Sequence, residues 1–550
     1  MSLYPIAIAV CLIFLAAYFS YGRFLSRLLK LNPSVKTPAH ELKDGVDYIP
    51  TPKGFLLGQH FSAIAAAGPI VGPILAGVWF GWAPVLLWIV TGAIFFGAVH
   101  DFFSLLGSVR HRASSVVEMV RIYLGPRGHI FFMLFVWMSL IYVITAFTDL
   151  TAASFTDAEL GGAVASSSIL YLFIGLLMGF SLQKLKMSLS VATPLFIFLV
   201  VVAIWLGPSF PLRLSPGPFT ERQLWNVLLL GYCFIASIIP VWMLLQPRGY
   251  LGGFFLYGTL AAGVIGLLLG GEKVLYPAFL GFHNEKGLPL FPLLFVTVAC
   301  GACSGFHGIV CSGTTSKQID REPDCHAVGY GGMLLEGLVA FLALSTVMIL
   351  AKTDTLTGQS PDRIYAEGLG RLVAHFGIPR EFARAFVLLA FTTFIYDTLD
   401  VATRLCRYIF QELTGWKGSA GRMSATLLSL SLPFFCVSLQ MRDSSGQLIP
   451  AWRLFWTIFG TSNQLLAALT LMILTLWFKK IKKPWWICAV PMMFMMTMTL
   501  WSLFLLLRPV AAGFFHAAPT FDLIAMIALF LFGLGLLLIA EGLKTLTQRE

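Results

Sequence analysis

The chain has 550 residues, 58% of them hydrophobic and only 11% charged, with a mean hydropathy of +0.83. Soluble domains carry about 25% charged residues, and apolar runs of the roughly 20 residues needed to cross a bilayer recur here from end to end, which excludes a soluble enzyme with a membrane tail. The formal net charge of +11 raises nucleic acid as a partner, but the placement of the charges assigns them to the lipid bilayer.

In chain order, fifteen spans are expected, centred on residues 4–28, 56–79, 83–107, 129–151, 164–182, 188–207, 225–246, 250–270, 290–314, 332–351, 383–410, 424–440, 453–478, 485–507 and 520–541. No basic stretch precedes the first apolar run, so no cleaved leader is expected. With the N-terminus outside, the inner connections and flanks hold 25 of the 37 Lys and Arg residues, from Arg23 and Arg27 to Lys544 and Arg549. Positive residues mark the cytoplasmic side, so the N-terminus is expected outside and the C-terminus inside. Cysteines such as Cys11, Cys233 and Cys488 lie in apolar runs and read as packing residues rather than a disulfide framework. Within the outer connection 352–382, Ile364, Leu369, Leu372, Val373 and Phe376 recur at helical spacing. The pattern predicts a short amphipathic helix, either resting on the outer membrane face or acting as a lid.

Leaving the first span aside, the next ten divide into two units of five, 56–207 and 225–410. Five is odd, so the units have opposite orientations. Each opens on an interruption: Gly68-Pro69 and Gly72-Pro73 in the first, Pro240 and Pro247 in the second. Matching interruptions at the start of inverted halves point to the binding site of a secondary transporter, because broken backbone inside a membrane is tolerated where it lines a cavity. Residues 1–30 and 424–550 then form accessory spans.

Five segments carry a resemblance. "GQHFSAIAAAGPIVGP", "GAVHDFFSLLGSVRHRASSV", "SGFHGIVCSGTTSKQI", "FIYDTLDVATRLCRYIFQEL" and "WRLFWTIFGTSNQLLAALTL" fall in order from Gly58 to Leu471 and resemble the signature segments of the carbon-starvation protein (CstA) family. The resemblance implies a bacterial inner-membrane uptake carrier of the amino acid/polyamine/organocation superfamily. It also implies an all-helical, LeuT-type five-plus-five inverted repeat, here with one extra N-terminal span and about four C-terminal ones. Family members have been assigned peptide uptake or pyruvate uptake coupled to protons. The chain is short for the family, which implies fewer C-terminal spans.

Ionisable groups inside spans are costly and are functional candidates. His60, His100, Asp101, His307 and Asp397 are the candidates for ion coupling, and Glu336 enters the tenth span. Three roles stand open for His60, His100, Asp101 and His307: binding the coupling proton, holding a transition metal, or bracing backbone freed by the breaks. Sodium in place of protons is the further alternative, with Ser312, Thr314 and Thr315 as hydroxyl ligands; no other cofactor is expected. Asp400 precedes Arg404 by four residues and reads as an intrahelical ion pair. Half-helix N-termini suit carboxylates, so Gly68, Pro69 and Gly72 are predicted to receive an anionic substrate, with Gln59, Ser62, Ser304 and Thr314 as polar contacts. Asn463 and Gln464 are expected to bond between helices. HExxH, GxSxG and a phosphate-binding glycine loop are absent from the sequence, which leaves a metal-dependent membrane enzyme as the weaker class.

Overall fold

A computed structural model describes residues 2–44, 48–214, 217–240, 242–285, 287–439, 441–442, 448–515 and 523–547. Among the described residues the fold is helical apart from a two-residue antiparallel pairing of Met441–Arg442 with Leu448–Ile449 and isolated bridges such as Thr51 with Ile319. Along the first half run α1 (Tyr4–Leu28), α2 (Lys53–Ile64), α3 (Gly68–Phe80), α4 (Trp82–Arg110), α5 (Val116–Phe155), α6 (Gly161–Gln183), α7 (Leu189–Ser209), α8 (Glu221–Ile238) and α9 (Leu245–Leu269). The second half follows with α10 (Leu290–Thr297), α11 (Gly305–Gly313), α12 (His326–Met348), α13 (Pro361–Ala374), α14 (Arg380–Thr414), α15 (Gly418–Ser438), α16 (Ala451–Lys480), α17 (Trp486–Phe515) and α18 (Leu523–Thr547).

Among the described residues, 12 helices are long and apolar enough to cross a membrane, and the pair α2–α3, bent by 49°, adds one more candidate. The remaining two expected spans take a different form. Residues 225–246 split between α8 and the start of α9, and residues 290–314 form three short helical pieces, α10, Ala299–Ala302 and α11.

The interruption in α2–α3 lies at Ala65–Ala67, ahead of the first Gly-Pro pair. Pro69 occupies the first turn of α3, where its missing N–H costs nothing, while Pro73 lies inside the helix. The stretch therefore holds one break rather than two. Pro240 also differs from expectation. Ile239, immediately before it, is extended (ψ 155°), as a residue preceding proline prefers. Helix α8 thus ends at Ile238, and Pro240 belongs to the connection with α9. The segment that faces the α2–α3 break is instead α10–α11, which packs against both α2 and α3.

Their crossing is tight. A Cβ on Gly72 would strike the carbonyl oxygen of Thr297, and one on Gly68 would strike the side chain of Cys300. Helix α5, 40 residues long, bends at Gly125 (φ 74°) and packs along α14 and α16. At about 1.5 Å per residue it is far longer than a bilayer's apolar core.

Helix α13 is the predicted amphipathic segment, but it is buried in protein rather than resting on a membrane face. It packs on α3, α9, α12 and α14. Its polar side is satisfied by side chains instead of headgroups: Asp362 accepts from Ser154 (2.9 Å), and Glu367 pairs with Arg380 (3.1 Å) and with Arg384.

Candidate functional site

Two buried charge clusters flank the broken helices. The first runs in a line through α4, α11 and α12. His100 Nδ1 lies 2.7 Å from Asp101 Oδ1, Asp101 Oδ2 lies 2.8 Å from His307 Nδ1, and His307 Nε2 lies 2.9 Å from Glu336 Oε2. All four side chains are buried. Neutral imidazole offers one donor and one acceptor, so His307 can donate to both carboxylates only as imidazolium, unless one carboxyl carries the proton itself.

His60 stands apart from this line. Its Nδ1 lies 2.9 Å from Thr315 Oγ1, and its Nε2 lies 3.9 Å from Cys311 Sγ. The donors of His60, His100, Asp101 and His307 therefore do not converge on one point: the two oxygens of Asp101 each face a different histidine. Among the described residues, only Glu118, His129 and Glu412 gather three such donors within 4.8 Å of one another.

The second cluster joins α9 to α14. Arg248, fully buried, donates from Nε to Asp397 Oδ1 (2.9 Å), and its Nη2 lies 2.8 Å from the same oxygen and 2.7 Å from Asp400 Oδ2. Its Nη1 donates to the Tyr232 hydroxyl, which donates in turn to Asp400 Oδ2 (2.8 Å). Ser62 donates to Asp397 Oδ2 (3.0 Å), and Tyr171 donates to the backbone carbonyl of Arg248 (2.7 Å). The expected pairing of Asp400 with Arg404 is thus replaced by a long-range one. Arg404 instead donates to the carbonyls of Ala236 (2.7 Å) and Ile239 (2.8 Å), and Arg407 to that of Ser237 (2.6 Å). Those carbonyls end α8 and have no partner in their own helix, so two cations cap it.

A cavity of about 130 Å³ adjoins the second cluster and His60, lined by Gln59, His60, Ser62, Thr314, Thr315, Arg248, Lys317 and Asp397 among others. It collects the predicted Gln59, His60, Ser62, Thr314 and Asp397. It omits Gly68, Pro69, Gly72 and Ser304. The glycines and Pro69 are buried where α3 meets Thr297–Cys300, outside the lining of this cavity.

Ser304 is taken up structurally. Asn463 on α16 donates to Ser304 Oγ (3.1 Å) and accepts from the Phe306 backbone N–H (2.9 Å). A side chain from a distant helix thereby caps the start of α11, the interhelical role expected for Asn463. Replacing Asn463 with alanine should lower stability by about 1–2 kcal/mol, and Asn463→Asp should recover part of this through the restored acceptor. Thermal unfolding in detergent checks both; equal loss in the two variants would refute the capping role. Gln464 donates to Met495 Sδ (3.2 Å).

A second cavity, about 330 Å³, lies at the other end of the bent pair between α3 and α13, lined by Trp79, Tyr276, His283, Lys352, Ile364 and Arg453 among others. The two cavities are separated by the packed crossing of α3 on Thr297–Cys300. Arg248, Tyr232 and Lys317 belong to the site but not to the residues expected from the sequence, and Glu336, noted there as entering the tenth span, joins the ion-coupling candidates. Arg248 read as an inner-flank charge, although its neighbours Pro247 and Gly249 sit within an apolar run.

These features define a polytopic helical membrane protein with charged groups buried around two broken helices. The chain belongs to the family described as Carbon starvation protein CstA, which it matches over residues 1–362 and 353–502. It is 30% identical to the peptide transporter CstA of Escherichia coli (strain K12), over 91% of this chain and 80% of that protein. The peptide transporter CstA of Bacillus subtilis (strain 168) is also 30% identical, over 100% of this chain and 98% of that one. The pyruvate/proton symporter BtsT of Escherichia coli (strain K12) is 28% identical, over 94% and 84%. Among solved structures, a manganese transporter of Eremococcus coleocola in complex with an aromatic bis-isothiourea substituted compound is similar at 15% identity and a TM-score of 0.47, over 92% of this chain and 98% of that chain.

Proposed function

We propose that this chain is a secondary active transporter that imports a small carboxylate of the pyruvate type, driven by protons. The observation that carries the reading is the cavity beside the α2–α3 break, whose wall combines Arg248 and Lys317 with the titratable His60 and Asp397. Cations suit a carboxylate, and titratable groups in the same wall can couple its binding to a proton. At about 130 Å³ the space suits few heavy atoms; drug-sized ligands occupy about 300–1,000 Å³. The similarity to BtsT, named a pyruvate/proton symporter, points the same way. Peptide uptake is the second reading, favoured by the peptide-transporter names of other relatives. Those transporter names favour a carrier over an enzyme, and the relatives' bacterial origin favours the plasma membrane.

The two interrupted segments are read as counterparts in a LeuT-type inverted repeat. One unit is 53–269, with α6 and α7 as an inserted hairpin, and the other is 290–480. This replaces the division into 56–207 and 225–410. It is supported by the facing of α2–α3 and α10–α11, the packing of α5 on α14, and that of α8 on α15. The cavities at opposite ends of the bent pair then serve the two sides of the membrane in turn.

In proteoliposomes under an inward proton gradient, pyruvate should accumulate and a protonophore should abolish the accumulation, with sodium-free buffer making no difference. Accumulation of di- or tripeptides in place of pyruvate would select the second reading. A sodium requirement would overturn proton coupling.

A further inference from the structure

The guanidinium of Arg248 has no access to solvent, and its two carboxylate partners differ in one respect. Asp397 lines the cavity; Asp400 does not. Asp400 is enclosed by Tyr232 and Arg248, whereas Asp397 also meets Ser62 on the cavity side. The Nε of Arg248 donates to Oδ1 of Asp397 (2.9 Å), and Nη2 lies 2.8 Å from the same oxygen without a hydrogen bond of its own. This pair of N–H groups is the fork that binds a carboxylate through two parallel hydrogen bonds. In this structure, an internal carboxylate already occupies the fork.

Resting on the carboxylate-carrier reading, we propose that Arg248 is the substrate-carboxylate anchor and that Asp397 is a built-in competitor which vacates it on taking a proton. The cluster holds one cation and two carboxylates, a net charge of −1. A hydronium ion in the cavity gives its proton to a carboxylate oxygen of Asp397 and leaves as water; no other bond changes. Neutral Asp397 keeps its Ser62 contact and releases the fork to the substrate carboxylate. One proton and one monoanion together leave the buried net charge at −1, whereas either alone would shift it by one unit in a low-dielectric site. The site therefore couples one proton to one carboxylate by charge conservation.

Asp400, enclosed by Tyr232 and Arg248 and outside the cavity lining, is assigned the role of counter-ion to Arg248. The other titratable or charged groups facing this exchange include Tyr232 and Cys233 on α8, Tyr171 on α6, Tyr396 and Arg404 on α14, and His60 and Lys317 in the cavity wall. Gly252, one turn along α9 from Arg248, keeps the space beside Asp397 Oδ2 open, since a Cβ there would lie 2.7 Å from that oxygen.

The test uses full-length protein in proteoliposomes and in detergent, with pyruvate, a dipeptide and the same dipeptide amidated at its C-terminus. For the wild type, affinity for the transported carboxylate should weaken by about tenfold per pH unit above the titration of Asp397, the slope of a single competing ionisation. Asp397→Asn, a fixed mimic of the protonated state, should flatten this dependence and lose uphill accumulation under a proton gradient while still binding. Arg248→Lys, which keeps the charge but lacks the fork, should weaken binding by at least about tenfold. The amidated dipeptide should not bind. A wild type that binds or carries neither carboxylate overturns the carrier reading and this inference together. A wild type that carries one, while Asp397→Asn keeps the wild-type pH slope, Arg248→Lys keeps wild-type affinity, or the amidated peptide binds as well as the free acid, leaves the carrier standing and overturns the inference alone.

Discussion

Asp101→Ala is expected to be the most damaging single substitution in the buried charge network, with a loss of about 3–5 kcal/mol of stability and of coupled transport. The carboxylate bridges His100 and His307 through different oxygens at 2.7 and 2.8 Å. Removing it takes away the carboxylate beside buried His100 and leaves His307 with Glu336 alone. Glu336→Gln should be milder. Glu336 is an end member of the array and keeps an amide oxygen toward His307, so the packing survives while the carboxylate that can exchange a proton with the ring is lost. The expected pattern is an unfolding temperature lowered far more in Asp101→Ala than in Glu336→Gln, with proton-driven uptake lost in both. Thermal unfolding by size-exclusion chromatography and uptake in proteoliposomes measure the two effects. Equal thermal stability in the two variants would refute a line of groups joined through Asp101.

The ionisable members of this array were legible in the sequence because charge inside an apolar run is conspicuous. Their order was not, since Asp101 meets His307 across 206 residues. Arg248 was hidden for the opposite reason. At the end of an apolar run a basic residue reads as an inner flank, and only the fold brings Asp397 to it across 149 residues. The partner of the α2–α3 break was misplaced on similar grounds. Pro240 announces itself as an interruption, yet it only ends α8. The segment that does face the break, "VACGACSG", contains no proline. There the backbone leaves the helix at Cys303 and Ser304 (ψ 112° and 127°), and the start of the next piece is capped from α16 by Asn463. An interruption stabilised by a distant side chain leaves only small residues as its trace in the local sequence. For α13 the amphipathic pattern was correct, but burial depended on partners such as Ser154 and Arg384 that periodicity does not reveal.

The crossing of the broken segments leads to the second large effect: Gly72→Ala should fail to fold at wild-type yield, or should melt well below wild type. The added methyl would meet the backbone carbonyl of Thr297, with the Cα of Val298 3.3 Å away, so no flexible side chain can move aside. Overpacking costs about 1–3 kcal/mol where neighbours relax, and here α3 and α10 would have to separate. Gly231→Ala on α8 is the matched comparison. Nothing lies within 4 Å of a Cβ at that site, so the substitution should be neutral or stabilising by about 0.5–1 kcal/mol through helix propensity. Gly77→Ala should fall between them, because its nearest obstacle is the terminal methyl of Leu344 at 2.8 Å, which can rotate. The ranking Gly72, Gly77, Gly231 in melting temperature separates a packing constraint from the general cost or benefit of replacing glycine in a helix. If Gly72→Ala and Gly231→Ala melt alike, the crossing is looser than described. The wall that separates the two cavities would then need another explanation, because this contact is what closes one end of the bent pair from the other.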